Sequence, residues 1–303
     1  MNYIHVIHVR SRKFCSPCGK QNFLSLLKTG LLACLFDGVF MRILCLGDSI
    51  MQYNDFSTFP QTGWVQELAR FFPVETVWLD FARNGRSTKS FIDEGRFVRV
   101  IAEAKKGDFA LIQFAHNDEK DDPTRHTSPE AGGSFRKNLS YFVRELRSKG
   151  LLPVLLTPMA RRMFDSENPG AKPVNSHGQY PAAIIECAKA EKVPCIDMTS
   201  LTMKLLEKEG FAASRRFYMN FDSGLYENFP EGRNDNSHLR PEGAHAYALL
   251  AAGEIKKIAE KFPEYAELSE NCMKGCESPF NEVEANPEDS ANAEIDDEYT
   301  VFK

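Results

Sequence analysis

The sequence has no excess of positive charge: 37 Lys and Arg stand against 42 Asp and Glu, for a net charge of -5 over 303 residues. No basic stripe interleaved with aromatics appears either, which argues against a nucleic-acid partner. It also has no unbroken apolar run of membrane-spanning length. The longest candidate, FLSLLKTGLLACLFDGVF, is interrupted by Lys28 and Asp37, so no membrane partner is expected. Eight cysteines are scattered rather than framed, and Cys45 and Cys187 fall in segments that read as core. That usage suits reduced thiols and a cytoplasmic chain. Cys15 and Cys18 have half a zinc-site spacing, but Cys272 and Cys276 are the only available second pair and lie at the far end, more widely spaced. No metal is therefore assigned. No internal repeat is present.

What remains is an ordinary globular composition, 43% hydrophobic and 26% charged, able to bury the core of one large domain. The two ends differ from the middle. Residues 1–40 carry a basic stretch ahead of the interrupted apolar run, and Met41 directly precedes RILCLGDS. They are read as an extension from an upstream start codon. The string Leu31-Leu32-Ala33-Cys34 leaves a signal, and hence a secreted or lipid-anchored chain, as the alternative. Residues 264–303 are acidic and poor in core formers, as expected of a solvated tail. The domain is thus placed at 41–263.

Within it, apolar runs and helical patterns alternate. Strands are expected at 42–47, 74–82, 108–115, 151–158 and 193–198, and helices at 63–72, 87–105, 132–150, 180–192 and 241–262. This alternation predicts an α/β fold with a parallel sheet covered on both faces.

The polar clusters of interest fall just after the strands or just before the last helix, so they should collect on one rim of the sheet. Gly47-Asp48-Ser49 follows the first strand, Arg83-Asn84-Gly85-Arg86-Ser87 the second, and Ala115-His116-Asn117-Asp118 the third. Asp235-Asn236-Ser237-His238 precedes the last helix. On its own, Ser49 reads first as the N-cap of the next helix, with a nucleophile or a phosphate ligand as the alternatives. A serine nucleophile needs a base to take its proton and an acid to orient that base. His238 and Asp235, three apart in one loop, suit those roles. The N–H groups of Ser49 and Gly85 and the Asn117 amide suit an oxyanion hole. Such chemistry uses no cofactor. A metal site built from His116, Asp118, Asp235 and His238 is the competing reading, and it leaves Ser49 and Gly85 without a role.

GDSI, the glycine of RNGRS, the asparagine of HND and the DxxH of DNSH resemble, in order and spacing, the four blocks of the SGNH or GDSL-type hydrolases. ARNGRSTKSFIDEGRF, FAHNDEKDD, TPMARRMFD, SHGQYPAA and DNSHLRPEGAHAYA are most similar to rhamnogalacturonan acetylesterases. The resemblance implies a three-layer α/β/α, flavodoxin-like fold with a five-stranded parallel sheet. It also implies Ser49 as nucleophile with Asp235 and His238 as partners, oxyanion donors at Ser49, Gly85 and Asn117, and an acetylated pectic carbohydrate as substrate. An acetylxylan or lipid esterase is the alternative, with a phosphate- or flavin-binding module further off. Ala115 stands where relatives commonly have glycine. Arg86, Arg161, Arg162, His116 and His177 are candidate substrate contacts. An arginine among them could hold a uronate carboxylate in a bidentate grip.

Overall fold

In strand β2 (Arg42–Gly47), Ile43 and Cys45 point to one side while Leu44 and Leu46 point to the other, and all four are fully buried. A strand with both faces apolar must lie inside a covered sheet. The computed structural model, which describes residues 5–7 and 40–272, places it there. Parallel strands β3 (Val77–Asp80), β4 (Phe109–Gln113), β5 (Leu152–Leu156) and β6 (Cys195–Ile196) join β2 in the order β3-β2-β4-β5-β6. The five-stranded parallel sheet is as expected. A sixth strand comes from the N-terminal segment: β1 (His5–Ile7) pairs antiparallel with the β3 edge, His5 opposite Asp80. Part of the supposed extension thus joins the sheet. Cys15, Cys18 and Cys276, like the apolar run before Met41, lie outside the described residues.

Each sheet face has its own core. On one side Ile43, Trp78, Leu111 and Leu156 pack against α1 (Trp64–Leu68), α6 (Met198–Ala213), α7 (Pro241–Ile255) and α8 (Ala266–Asn271). On the other, Leu44, Leu79, Ile112 and Leu155 meet α2 (Thr88–Asp93), α3 (Arg96–Glu103), α4 (Ser134–Ser148) and α5 (Tyr180–Glu191). Helix, sheet and helix make the three layers.

Four features differ from the sequence expectation. The single helix at 87–105 is two, because Gly95 takes φ 67° between them. Helix α6 has no counterpart among the expected helices. Asp197 caps it by accepting from the Ser200 N–H at 3.1 Å. The tail begins later than 264: Tyr265 donates to the Pro153 carbonyl at 2.7 Å and Leu268 is fully buried, so the folded domain runs at least to Cys272. Three core residues, Tyr265, Leu268 and Cys272, in an otherwise acidic stretch are too weak a signal.

The fourth difference concerns DNSH. It lies on a strand, β8 (Arg233–Leu239), paired antiparallel with β7 (Tyr218–Phe221), and not in a loop. Asn220 pairs with Asn234 and Tyr218 with Leu239. Only Met219 separates the first members of these pairs, whereas Asp235, Asn236, Ser237 and His238 separate the second. The motif is therefore a bulge, a device that re-aims side chains out of a ladder.

Candidate active site

Strand order reverses at β2, which opens a crevice at the strand ends between β2 and β4. Gly47 ends β2. A Cβ there would come within 2.8 Å of the Gln113 carbonyl, so only glycine lets β2 and β4 close up at this point. The chain then turns tightly, with the Gln52 N–H donating to the Asp48 carbonyl at 3.0 Å, and Ser49 sits at the head of the turn. The loop after β3 is drawn alongside, because the Arg83 N–H donates to the Gly47 carbonyl at 3.0 Å.

Ser49 and His238 are 189 residues apart in sequence, yet Ser49 Oγ is 2.9 Å from His238 Nε2. His238 Nδ1 is 2.7 Å from Asp235 Oδ2. The other carboxylate oxygen accepts the backbone N–H groups of Ser237 and His238 at 2.9 and 3.0 Å. Burial alone would raise the Asp235 carboxyl. The hydrogen bond from His238, its charge when protonated and these two N–H donors outweigh burial and hold the carboxyl well below its ordinary value. Asp235 is thus an anion that fixes Nδ1 as the protonated nitrogen and leaves Nε2 to accept from Ser49.

Gly85 has φ 79°, a conformation that disfavours side chains, although a Cβ there would meet nothing closer than 3.9 Å. Backbone geometry, and not space, makes it glycine. Among the described residues, neither the Ser49 N–H nor the Gly85 N–H finds an acceptor in the chain. Asn117 Nδ2 donates to the Arg86 carbonyl at 3.1 Å, which uses one of its two hydrogens and ties the Gly85 loop to β4. Three N–H donors with free capacity therefore belong to the segments around Ser49. Such a set can activate a hydroxyl and stabilise an oxyanion.

The remaining candidates surround these groups. His116 and His177 are buried, at 6% and 1% exposure. His116 Nδ1 meets Asp48 Oδ2 at 3.1 Å and its Nε2 meets the Met159 carbonyl at 3.2 Å. His177 Nε2 reaches the same carbonyl at 2.9 Å, while its Nδ1 meets Glu119 Oε2 at 2.9 Å. Burial pulls the His177 imidazole below its ordinary value, against the opposing hydrogen bond to Glu119. The three arginines are likewise engaged. Arg86 pairs with Glu94 at 3.0 Å. Arg161 pairs with Glu119 and donates to Ser237 Oγ at 3.1 Å. Arg162, 7% exposed, donates to Asn236 Oδ1 at 3.3 Å and to the Phe211 carbonyl at 2.6 Å, its guanidinium 4.0 Å from the Phe211 ring centroid. Each of these five candidate substrate contacts has an internal partner, and the Arg86 and Arg161 side chains also keep exposed surface, 31% and 22%. Asp118 faces Thr88 and Thr127, and His116 faces Asp48, so neither converges with Asp235 and His238 on one point.

Sequence reading missed Arg233, whose Nη2 is 3.2 Å from Asp235 Oδ2, the same oxygen that meets His238. Its position two residues before Asp235 is a signal only once the segment is known to be a strand, where i and i+2 share a face.

A GDSL-like lipase/acylhydrolase family model matches residues 45–246, which contain all of these groups. Rhamnogalacturonan acetylesterase RhgT of Bacillus subtilis (strain 168) is 33% identical over 218 residues, covering 72% of this chain and 90% of the relative. A probable rhamnogalacturonan acetylesterase of the same organism, YesY, is 31% identical over 72% of this chain and 93% of its own length. Among solved structures, YxiM of Bacillus subtilis superposes with TM-score 0.60 at 25% identity, covering 72% of this chain and 56% of that one. An acetylxylan esterase of Geobacillus stearothermophilus shares the fold at TM-score 0.51 and 17% identity, over 71% of this chain and 93% of that one. With its family model, relatives and crevice in agreement, the chain belongs to the GDSL-like lipase/acylhydrolase family and is a carboxylic ester hydrolase close to the rhamnogalacturonan acetylesterases.

Proposed function

We propose that this esterase removes O-acetyl groups from pectic, rhamnogalacturonan-type carbohydrate through a Ser49-His238-Asp235 triad. The observation that carries the chemistry is the continuous contact from Ser49 Oγ to His238 Nε2 and from Nδ1 to Asp235. Ser49 attacks the acetyl carbonyl as Nε2 takes its proton. The Ser49 and Gly85 N–H groups and the Asn117 amide receive the oxyanion. Collapse breaks the bond to the sugar oxygen, which leaves with the proton returned by His238, and water then hydrolyses the acetyl-enzyme by the same route. The carbohydrate assignment is supported by the names of the two relatives at 33% and 31% identity.

Two measurements test the two parts. A fluorophosphonate should label the wild type at Ser49 and leave Ser49→Ala unlabelled; labelling elsewhere overturns the triad. Acetate release should be faster from acetylated rhamnogalacturonan than from acetylated xylan. The reverse preference overturns the substrate.

A further inference from the structure

The carboxylate of Asp235 carries more donors than a triad requires. Oδ1 accepts two backbone N–H groups, and Oδ2 meets both His238 Nδ1 at 2.7 Å and the Arg233 guanidinium at 3.2 Å. We propose that Arg233 is a positioning residue that sets the basicity of His238, by drawing on the negative charge that would otherwise stabilise the imidazolium.

A lone carboxylate beside Nδ1 favours the protonated ring, and so favours the wrong state of the base at mildly acidic pH. A guanidinium on the same oxygen opposes this twice. It competes for the lone pairs that receive Nδ1–H, and its positive charge disfavours a second cation on His238. Packing holds Arg233 where it can act in this way. Its guanidinium lies over Phe229, 5.1 Å from the ring centroid, and it is only about one-third exposed, at 36%. Partial burial keeps the charge effective where a fully solvated one would be screened. Behind it a cleft of about 460 Å³ runs along the β7–β8 hairpin, where Arg215, Asp222 and Glu231 are the other charged groups. Arg215 and Asp222 pair with each other at 2.7 Å, and no acid other than Asp235 pairs with Arg233 among the described residues. Asp48, engaged by His116, also interacts electrostatically with His238, and Arg161, paired with Glu119, holds Ser237 beside it.

This inference rests on the triad reading, and the test separates the two. The pH profile of kcat/KM on a small neutral aryl acetate, which asks nothing of carbohydrate binding, is measured for the wild type, Arg233→Met and Arg233→Lys. The Met variant keeps an apolar side chain beside Phe229 and loses the charge. Its acidic limb should move up by about 0.5–1 pH unit, so that the loss is about 3–10-fold on the acidic side and smaller at the plateau. The Lys variant should return the limb toward the wild-type position. A limb that stays put in the Met variant, or an equal loss at every pH, overturns the role given to Arg233. Fluorophosphonate labelling of Ser49 in all three proteins shows separately whether the triad itself stands.

Discussion

His116 Nδ1 meets Asp48 Oδ2 at 3.1 Å in the interior directly beneath Ser49, where the carboxylate is fully buried. The other oxygen of Asp48 accepts the Ile50 N–H at 3.0 Å, so the residue before the candidate nucleophile braces its turn from within. Burial would raise this carboxyl, but the His116 partner, the Ile50 N–H and the more distant His238 hold it below its ordinary value. Replacing His116 by Ala strands a buried anion. The expected cost is about 3–5 kcal/mol in urea unfolding. A variant as stable as the wild type would show that the pair contributes nothing.

Arg162 reaches the bulge that carries Asp235 and His238: its backbone N–H donates to the Asn236 carbonyl at 2.8 Å and its Nη1 to Asn236 Oδ1 at 3.3 Å. Arg162→Ala should therefore lower kcat/KM for acetylated rhamnogalacturonan and for an aryl acetate by similar factors, together with a lower Tm. Arg161→Ala should behave alike through Ser237. A loss confined to the acidic polymer would instead assign these arginines to carboxylate recognition.

The sequence reveals much of this site because its pieces sit at strand ends, and strands buried on both faces read as plain apolar runs such as ILCL and FALI. Ser49, Gly85 and Asn117 come to one rim for that reason, whereas Asp235 and His238 reach it from the bulge in β8. The β7–β8 hairpin escaped because β8 reads RNDNSHL, almost wholly polar, and its long bulge breaks the alternation that marks a strand. The arginine partners are legible only in part: Arg86 pairs with the nearby Glu94, eight positions on, whereas Arg161 pairs with Glu119, 42 positions away, and no local pattern encodes that pairing.

Ala115, just beyond the end of β4, takes φ 136°. This lies in a region costly for any residue with a Cβ, toward the upper end of about 1–3 kcal/mol. Ala115→Gly relieves that strain but loses about 0.5–1 kcal/mol to chain entropy, along with the packing of one methyl in the core below α4. The expected net result is a gain of up to about 1 kcal/mol, read as a Tm rise of about 2–4 °C. A clear fall in Tm would mean that the methyl packing outweighs the strain.

Burial pushes the Asp118 carboxyl up to about 7, against hydrogen bonds from the Thr88 hydroxyl and N–H and the Thr127 hydroxyl, with the charge of Asp48 adding to the rise. All three bonds fall on Oδ1, leaving Oδ2 without a partner. The folded protein thus keeps a proton that the unfolded chain releases near about pH 4. The stability from this group is complete below that pH and declines as pH rises toward 7. Asp118→Asn cannot ionise, so its stability relative to the wild type should improve between pH 5 and pH 8. Urea midpoints that run parallel across that range would show that Asp118 is ionised throughout.

Asn117 presents the sharpest division of labour, because one amide group serves two purposes. One Nδ2 hydrogen goes to the Arg86 carbonyl at 3.1 Å and holds the Gly85 loop, while the other is free to meet an oxyanion. Asn117→Ala removes both, and turnover should fall by about 10²–10³. Asn117→Asp keeps the shape but replaces the donor with an acceptor, so it should be no better than Ala if the oxyanion contact dominates. The two contributions separate in the steady-state constants. Loss of a contact made only in the transition state lowers kcat and kcat/KM together, whereas a displaced Gly85 loop that weakens substrate positioning raises KM. A drop in kcat at nearly constant KM on an aryl acetate assigns the free hydrogen to the oxyanion. A rise in KM at constant kcat would make Asn117 a strut for the loop and leave the oxyanion to the backbone N–H groups of Ser49 and Gly85.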